Sequence, residues 1–414
     1  MPHNILKMIA AGLAAYAIVS SSGAQAQTEL SFPSYAWTEK VDGTYLAGLS
    51  DDFEKANPGV KVSRIPVAFR DMANKLFLDV TSGHAPDFVT LFDPEVRNYI
   101  DRDLLEPLDS YLARTGIRAD EFAEPGRLAM KDSHVYAITI SINPQALLYN
   151  SEIFNKLSLE VPRTEKEFLD AARKIKASGL VPFPIAMYAK PGSDDTLYYA
   201  FTAILRAFDA SILRDGKPTA NDPRVVRALH FYKQLYDEGL IPRGMENMLG
   251  IKMFAQGKAA MIISGSFIAA IVKDTDSEVY KSLRSVPLHF EGNTAPSVSV
   301  FVGVPKQAPN KDLAAQMLML MLTDKWQEKV VTDVAAMPAL KGIMPADFVR
   351  ENPWFSAFAE VGPIAQSNAP DCPGKIAPEV VKATARKVEA MLFGGLSPEQ
   401  AASELQQDLL GLMQ

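Results

Sequence analysis

A chain of 414 residues is longer than one hydrophobic core usually supports, so two bodies are expected. The composition is that of a globular protein, 48% hydrophobic and 22% charged, and a net charge of −7 argues against a nucleic-acid partner. The single cysteine, Cys372, excludes an internal disulfide and any zinc site built from several thiols.

The first element in chain order is not part of the fold. Lys7 precedes an apolar run from Met8 to Val19, and Ala24-Gln25-Ala26 gives the small residues that flank a cleavage point. This is the pattern of a secretory signal peptide, too short to span a bilayer, so residues 1–26 are expected to be removed in the periplasm. A short strand, Ser31 to Tyr35, comes next. Leu46, Leu49, Phe53 and Ala56 recur at helical spacing, and Asn57-Pro58-Gly59 stops that helix. Val60, Val62 and Arg64-Ile65 read as a strand, and a second helix is expected from Met72 to Ser82. Phe88 to Phe92 is a continuous apolar run of the kind found in buried parallel strands. Thr164 with Glu167 forms a capping box ahead of a face made by Phe168, Ala171, Ala172 and Ile175. Asp222-Pro223 opens a further helix, and Ser397 to Gln400 caps the last one, with Ala402, Leu405, Leu409 and Leu412 on one stripe. Trp326 within a helix and Trp354 in a loop read as packing residues. The alternation of strands and helices predicts an α/β fold.

Several phrases, taken in order, resemble those of the extracellular solute-binding proteins of sugar importers, the family that includes maltose-binding protein. They begin with Phe53-Glu54-Lys55-Ala56-Asn57-Pro58-Gly59-Val60-Lys61-Val62 and Ser82-Gly83-His84-Ala85-Pro86-Asp87. Leu104 to Asp109, Leu148-Tyr149-Asn150 with Val161 to Thr164, Met253 to Met261, and Gly265-Ser266-Phe267 complete the set. The resemblance implies the type II periplasmic binding fold, two discontinuous α/β lobes with a ligand cleft between them. It places crossovers near Thr139 to Ser141, Pro296 to Ser299 and Ala335 to Pro338. The N-terminal lobe is then 27–140 plus 297–336, and the C-terminal lobe 141–296 plus 337–414. The implied partners are a small solute, a sugar in the first instance, and the transmembrane subunits of an ABC permease. The protein is expected to act as a monomer, without a cofactor.

Sugar sites need aromatic faces for ring C–H groups and polar side chains for buried hydroxyls. Trp37, just after the first strand, is a candidate cleft ring or a packing ring, with Glu39 beside it. Phe92 and Asp93 end the strand after Pro86, where related proteins face the cleft; Asp93 has a competing reading as a helix cap. Arg70 is a candidate for the rim. By resemblance, Asn143 follows the first crossover, Ser299 lies in the second, and Phe267 takes a place that is often Trp in sugar binders. Ser266 stands at a helix start, where backbone amides are offered. Asp194 and Asp195, before an aromatic helix, are candidates for one cleft carboxylate or an ordinary capping pair.

Catalysis is not expected. Adjacent carboxylates such as Asp194 and Asp195 point about 100° apart on a helix, a poor arrangement for flanking one glycosidic bond. No Ser-His-Asp order, His-Glu-x-x-His pattern or phosphate loop is visible, and there are five histidines. The same fold with another solute is the rival reading: a sugar acid, a polyol, a polyamine, or ferric ion held by Tyr198-Tyr199.

Overall fold

The computed structural model describes residues 27–414 except 293 and 346, and leaves out the side chains of Arg70 and Asp195. The signal segment and the expected roles of those two side chains therefore lie outside the described residues. The strands are β1 (Thr28–Ser34), β2 (Val60–Pro66), β3 (Val89–Leu91), the hairpin β4 (Met130–Lys131) and β5 (His134–Val135), and the long β6 (Ala137–Asn150). They continue as β7 (Phe183–Ala186), the hairpin β8 (Leu213–Arg214) and β9 (Lys217–Pro218), β10 (Ala259–Gly265), β11 (Leu283–Val286), β12 (Ala295–Gly303) and β13 (Ala365–Ser367). The helices that position the site are α1 (Lys40–Ala56), α2 (Phe69–Thr81), α3 (Asp93–Asp101), α4 (Asp109–Leu112), α5 (Ser151–Lys156), α6 (Glu165–Ser178), α7 (Asp194–Ala207), α8 (Pro223–Asp237), α9 (Asn247–Ala255) and α10 (Ile268–Thr275).

β1, α1 and β2 form one βαβ unit. Leu46, Leu49 and Phe53 bury the inner face of α1, and β1 and β2 pair in parallel from Thr28↔Val60 to Ser34↔Pro66. Gly59, at φ +93°, makes the turn between helix and strand in a conformation that suits glycine. The Pro86-Asp87 phrase has a physical role. Asp87 is buried; its carboxylate accepts from the Ser31 N–H (2.8 Å) and hydroxyl (2.9 Å) and from the Asn310 N–H (2.8 Å). It thereby ties β1 to the start of the helix Lys311–Met321. The apolar run after it forms a strand over Val89–Leu91 alone, and its ladder partner, β12, is antiparallel, unlike the parallel pairing expected.

β6 organises the molecule. Its first half pairs with β12, from Ala137↔Gly303 to Pro144↔Ser297. Its second half pairs with β10, from Gln145↔Gly265 to Tyr149↔Met261. A third segment joins here, because Ile142 and Met337 exchange both backbone hydrogen bonds, at 3.0 and 2.8 Å. Three chain segments therefore run side by side through Ile142, Ser299 and Met337. On one side, buried residues from Leu30 to Ile140 and from Val300 to Leu340 share a core. On the other, Leu147 to Ile263 packs with Val380 to Leu409, and a smaller cluster joins Ala146 to Leu283 with Ala335 and Trp354 to Phe358.

Candidate ligand cleft

The strands of the first body end in aromatic residues. β1 runs into Tyr35, β2 is followed by Phe69 at the first turn of α2, and β3 runs into Phe92. The three rings touch: Phe69–Phe92 centroids are 5.2 Å apart, Tyr35–Phe92 5.7 Å and Tyr35–Phe69 5.8 Å. Phe92 is buried and Tyr35 half-buried, whereas Phe69 keeps 43% of its surface exposed. An exposed ring supported by two others is an apolar shelf at the carboxyl ends of the strands, where open α/β sheets bind ligands. The Tyr35 hydroxyl donates to Asp42 at 3.0 Å. Burial pushes the Asp42 carboxyl up to about 6, against the lowering by the Tyr35 hydrogen bond, and nearby Glu39 raises it further.

Beside the shelf, the crossing strands carry polar side chains with little exposure. Asn143 donates to the Ser141 hydroxyl at 3.3 Å, and its Oδ1 has no partner among the described residues. The same holds for Gln145 Oε1 and Ser266 Oγ; Ser297 Oγ and Ser299 Oγ also lack partners but lie on the other face of the sheet, with Pro144 and Ile142. Buried polar atoms are normally satisfied, so a cluster without protein partners at a cleft base fits a hydroxyl-rich ligand. Gly265 brings two of the candidates together: a Cβ there would lie 2.9 Å from Asn143 Cβ and 3.0 Å from Phe267 Cδ1. On the same body Tyr188 follows β7 and makes a hydrogen bond with Ser264, and burial pushes its hydroxyl up to about 12. Lys40, at the start of α1, pairs with Asp274 on α10, the helix that follows Phe267. The two bodies are thus bridged by an ion pair between these two helices.

Of the sequence candidates, Phe92, Asn143, Ser266 and Phe267 fall in or next to this constellation, whereas the Ser299 side chain lies on the opposite face of the sheet. Glu39 stands beside the Tyr35–Asp42 pair. Asp194 opens α7, with Ser193 and neither aspartate as the N-cap.

Two candidates are corrected. The Trp37 indole N–H donates to the Phe32 carbonyl at 2.7 Å; the ring sits edge-on to Phe32 at 5.5 Å, with the Arg64 guanidinium 5.7 Å from its centroid. A 3₁₀ turn at Tyr35–Thr38 carries Trp37 back over β1, so it packs on the first core and leaves the shelf to Tyr35. Asp93 is fully buried and neither contacts solvent nor caps α3, whose N-cap is Phe92. Along this edge of β12, β13 pairs up to Ser297 and β3 starts at Phe301, and Asp93 fills the gap between them. It accepts from the Ser299 N–H at 2.8 Å and the Ser367 hydroxyl at 2.7 Å. Burial pushes its carboxyl up to about 7, against the lowering by those two donors. The tyrosine pair considered for ferric ion is also ruled out in its simple form, since Tyr198 is buried and its hydroxyl donates to the Asn368 carbonyl at 2.7 Å.

Tyr35, Phe69, Gln145 and Tyr188 were not among the sequence candidates. The available signal was positional: Tyr35 and Tyr188 each stand within two residues of a strand's carboxyl end.

The model of the bacterial extracellular solute-binding protein family matches residues 48–357. A binding protein of Brucella abortus is 24% identical over 401 residues, covering 94% of this chain and 93% of its own. The multiple sugar-binding protein of Streptococcus mutans is 23% identical over 320 residues, 74% of each chain. Among solved structures, the GacH receptor of Streptomyces glaucescens, determined unliganded and with acarbose, superposes with a TM-score of 0.82 at 20% identity, over 94% of this chain and 98% of that one. A solute-binding protein of Thermotoga lettingae bound to α-D-tagatose gives 0.82 at 19% identity, over 94% and 99%. At such identities the likeness establishes the fold, two α/β lobes with a cleft between them.

Proposed function

Because the chain belongs to the bacterial extracellular solute-binding protein family, we propose that it captures a carbohydrate or sugar derivative between its lobes and delivers it to the permease of an ABC importer. One observation carries this reading: the aromatic shelf that Tyr35 and Phe92 build under the exposed Phe69 goes with buried oxygens of Asn143 (Oδ1), Gln145 (Oε1) and Ser266 (Oγ) that have no partner among the described residues. A sugar ring offers both complements, an apolar C–H face and a rim of hydroxyls. The relatives named for sugars support the same solute class. The protein binds its solute without altering it. We place the lobe boundaries at 27–140 plus 297–336 and 141–296 plus 337–414, a division supported by the two sets of cores at its first two boundaries; at the third the segment interleaves, with Ala335 in the second set and Ala339 and Leu340 in the first.

Closure about the three crossing segments is the expected response to ligand, as in hinge-type binding proteins. A thermal-shift screen over mono- and oligosaccharides identifies the solute, since a ligand that binds the folded state raises its melting temperature. Small-angle scattering with that solute then shows a smaller radius of gyration, and the solute is recovered unchanged. Turnover, or binding with no change in shape, would sink the proposal. Export is tested separately: the periplasmic form begins at or near Gln27, and a mature protein retaining residues 8–19 would refute cleavage.

A further inference from the structure

A cavity of about 450 Å³ lies apart from the cleft residues. None of Tyr35, Phe69, Phe92, Asn143, Gln145, Ser266 or Phe267 lines it. Its walls come from α3, α7 and the segment 366–372, and so from both bodies. Three arginines line it, Arg97 from α3, Arg206 from α7 and Arg214 from β8, together with Asp209, Asp215 and Asp371.

Neither Arg97 nor Arg206 closes an ion pair at contact distance among the described residues, although Asp101 lies near the first and Asp209 and Asp371 near the second. Arg97 donates to the Met130 carbonyl at 3.0 Å. Arg206 is half-buried, its guanidinium makes no ion pair or hydrogen bond among the described residues, and burial lowers its basicity. The nearby aspartates are otherwise engaged: Asp209 pairs with Arg224 at 3.0 Å, and Asp371 accepts from the Gly216 N–H at 3.2 Å. Asp209 and Asp371 favour the Arg206 charge from a distance but do not bond to it, and a partly desolvated cation without a direct partner is costly. The wall also holds Asn368, only 2% exposed, with both its amide oxygen and amide nitrogen lacking a partner among the described residues. Thr294 Oγ1 is buried there without a partner as well.

We propose that this cavity is a second binding site, for a small hydroxylated organic acid whose carboxylate is held by Arg206 and whose hydroxyls meet Asn368 and Thr294. The planar guanidinium fork matches a carboxylate in two parallel hydrogen bonds. Asn368 offers one donor and one acceptor, the pair that a hydroxyl uses. The volume lies within the range of small-molecule sites. Phosphate shares the oxyanion chemistry but brings no hydroxyl-bearing chain for Asn368 and Thr294, so it serves as the contrasting arm. This inference does not depend on the sugar reading of the cleft.

Titration calorimetry of the intact mature protein uses D-gluconate, D-glucose and inorganic phosphate as probes. The expected result is gluconate binding that weakens with salt and is lost at least tenfold in Arg206→Gln, with Arg206→Lys intermediate. The Arg206→Gln protein keeps its melting temperature without ligand, because no direct ion pair or side-chain hydrogen bond is lost. Asn143→Ala leaves gluconate affinity intact. No gluconate heat at millimolar concentration, binding by phosphate alone, or gluconate binding indifferent to Arg206→Gln but lost in Asn143→Ala would each overturn the proposal.

Discussion

Phe69 is the sharpest test of the cleft. It exposes 43% of its surface, and a buried aromatic side chain covers roughly 200 Å², so a sugar face laid on it removes about 85 Å² from water. At about 25 cal/mol per Å² this is about 2 kcal/mol, or roughly a thirtyfold change in dissociation constant. Phe69→Ala removes that surface and leaves Tyr35 and Phe92 in place. The folded state also loses the covered part of the ring, roughly 115 Å² or at most about 3 kcal/mol on the same scale. The expected outcome is therefore a roughly thirtyfold loss of affinity in the folded variant, with a fall in melting temperature no larger than that covered area accounts for. Titration calorimetry with the cognate solute and calorimetric unfolding without it measure the two separately. Unchanged affinity in the folded variant would show that the shelf is not a ligand surface.

Other outcomes follow from the same geometry. Folding raises the Asp93 carboxyl from its ordinary value near 4 to about 7, so its contribution to stability is present at low pH and lost as pH rises through about 7. Asp93→Asn keeps an acceptor for the Ser299 N–H; urea midpoints at pH 5 and pH 8 should fall less with pH in the variant than in wild type. Gly265→Ala drives a methyl to 2.9 Å from Asn143 Cβ and should cost about 1–3 kcal/mol, with weaker solute binding, in unfolding and binding titrations. Lys40→Ala removes an exposed pair worth about 0.5 kcal/mol, so affinity should weaken about twofold at low salt and not at all in 1 M salt.

Much of the scaffold is legible in local sequence chemistry. The capping box at Thr164 and Glu167 forms as expected, with bonds of 3.2 Å in both directions. Asp222 caps α8, and Ser397 with Gln400 caps the last helix. Such signals survive because their partners lie within four residues. The site is less legible because its partners are distant. The helix expected from Met72 begins at Phe69, and that one turn is what sets the ring at the mouth of the cleft. Trp37 drew attention as the largest ring after the first strand, but a 3₁₀ turn no pattern announced gave the position to Tyr35. Asp93 had two local readings, ligand and cap. Its actual role depends on a gap between β3 and β13, strands separated by most of the chain.

The order in which the chain is made also bears on β6 and β12. The first core draws on Leu30 to Ile140 and then waits for Val300 to Leu340. A chain emerging from its N-terminus cannot close that core until nearly all of the other body has followed. Early βαβ units such as β1–α1–β2 must remain without their β12-side partners through most of synthesis, and contacts so distant in sequence form slowly. A chain stopped after residue 298 should stay open to protease from its first strand onward, although every residue of β1, β2 and β3 is present. Discontinuous lobes thus make closure of the first core a late event in synthesis.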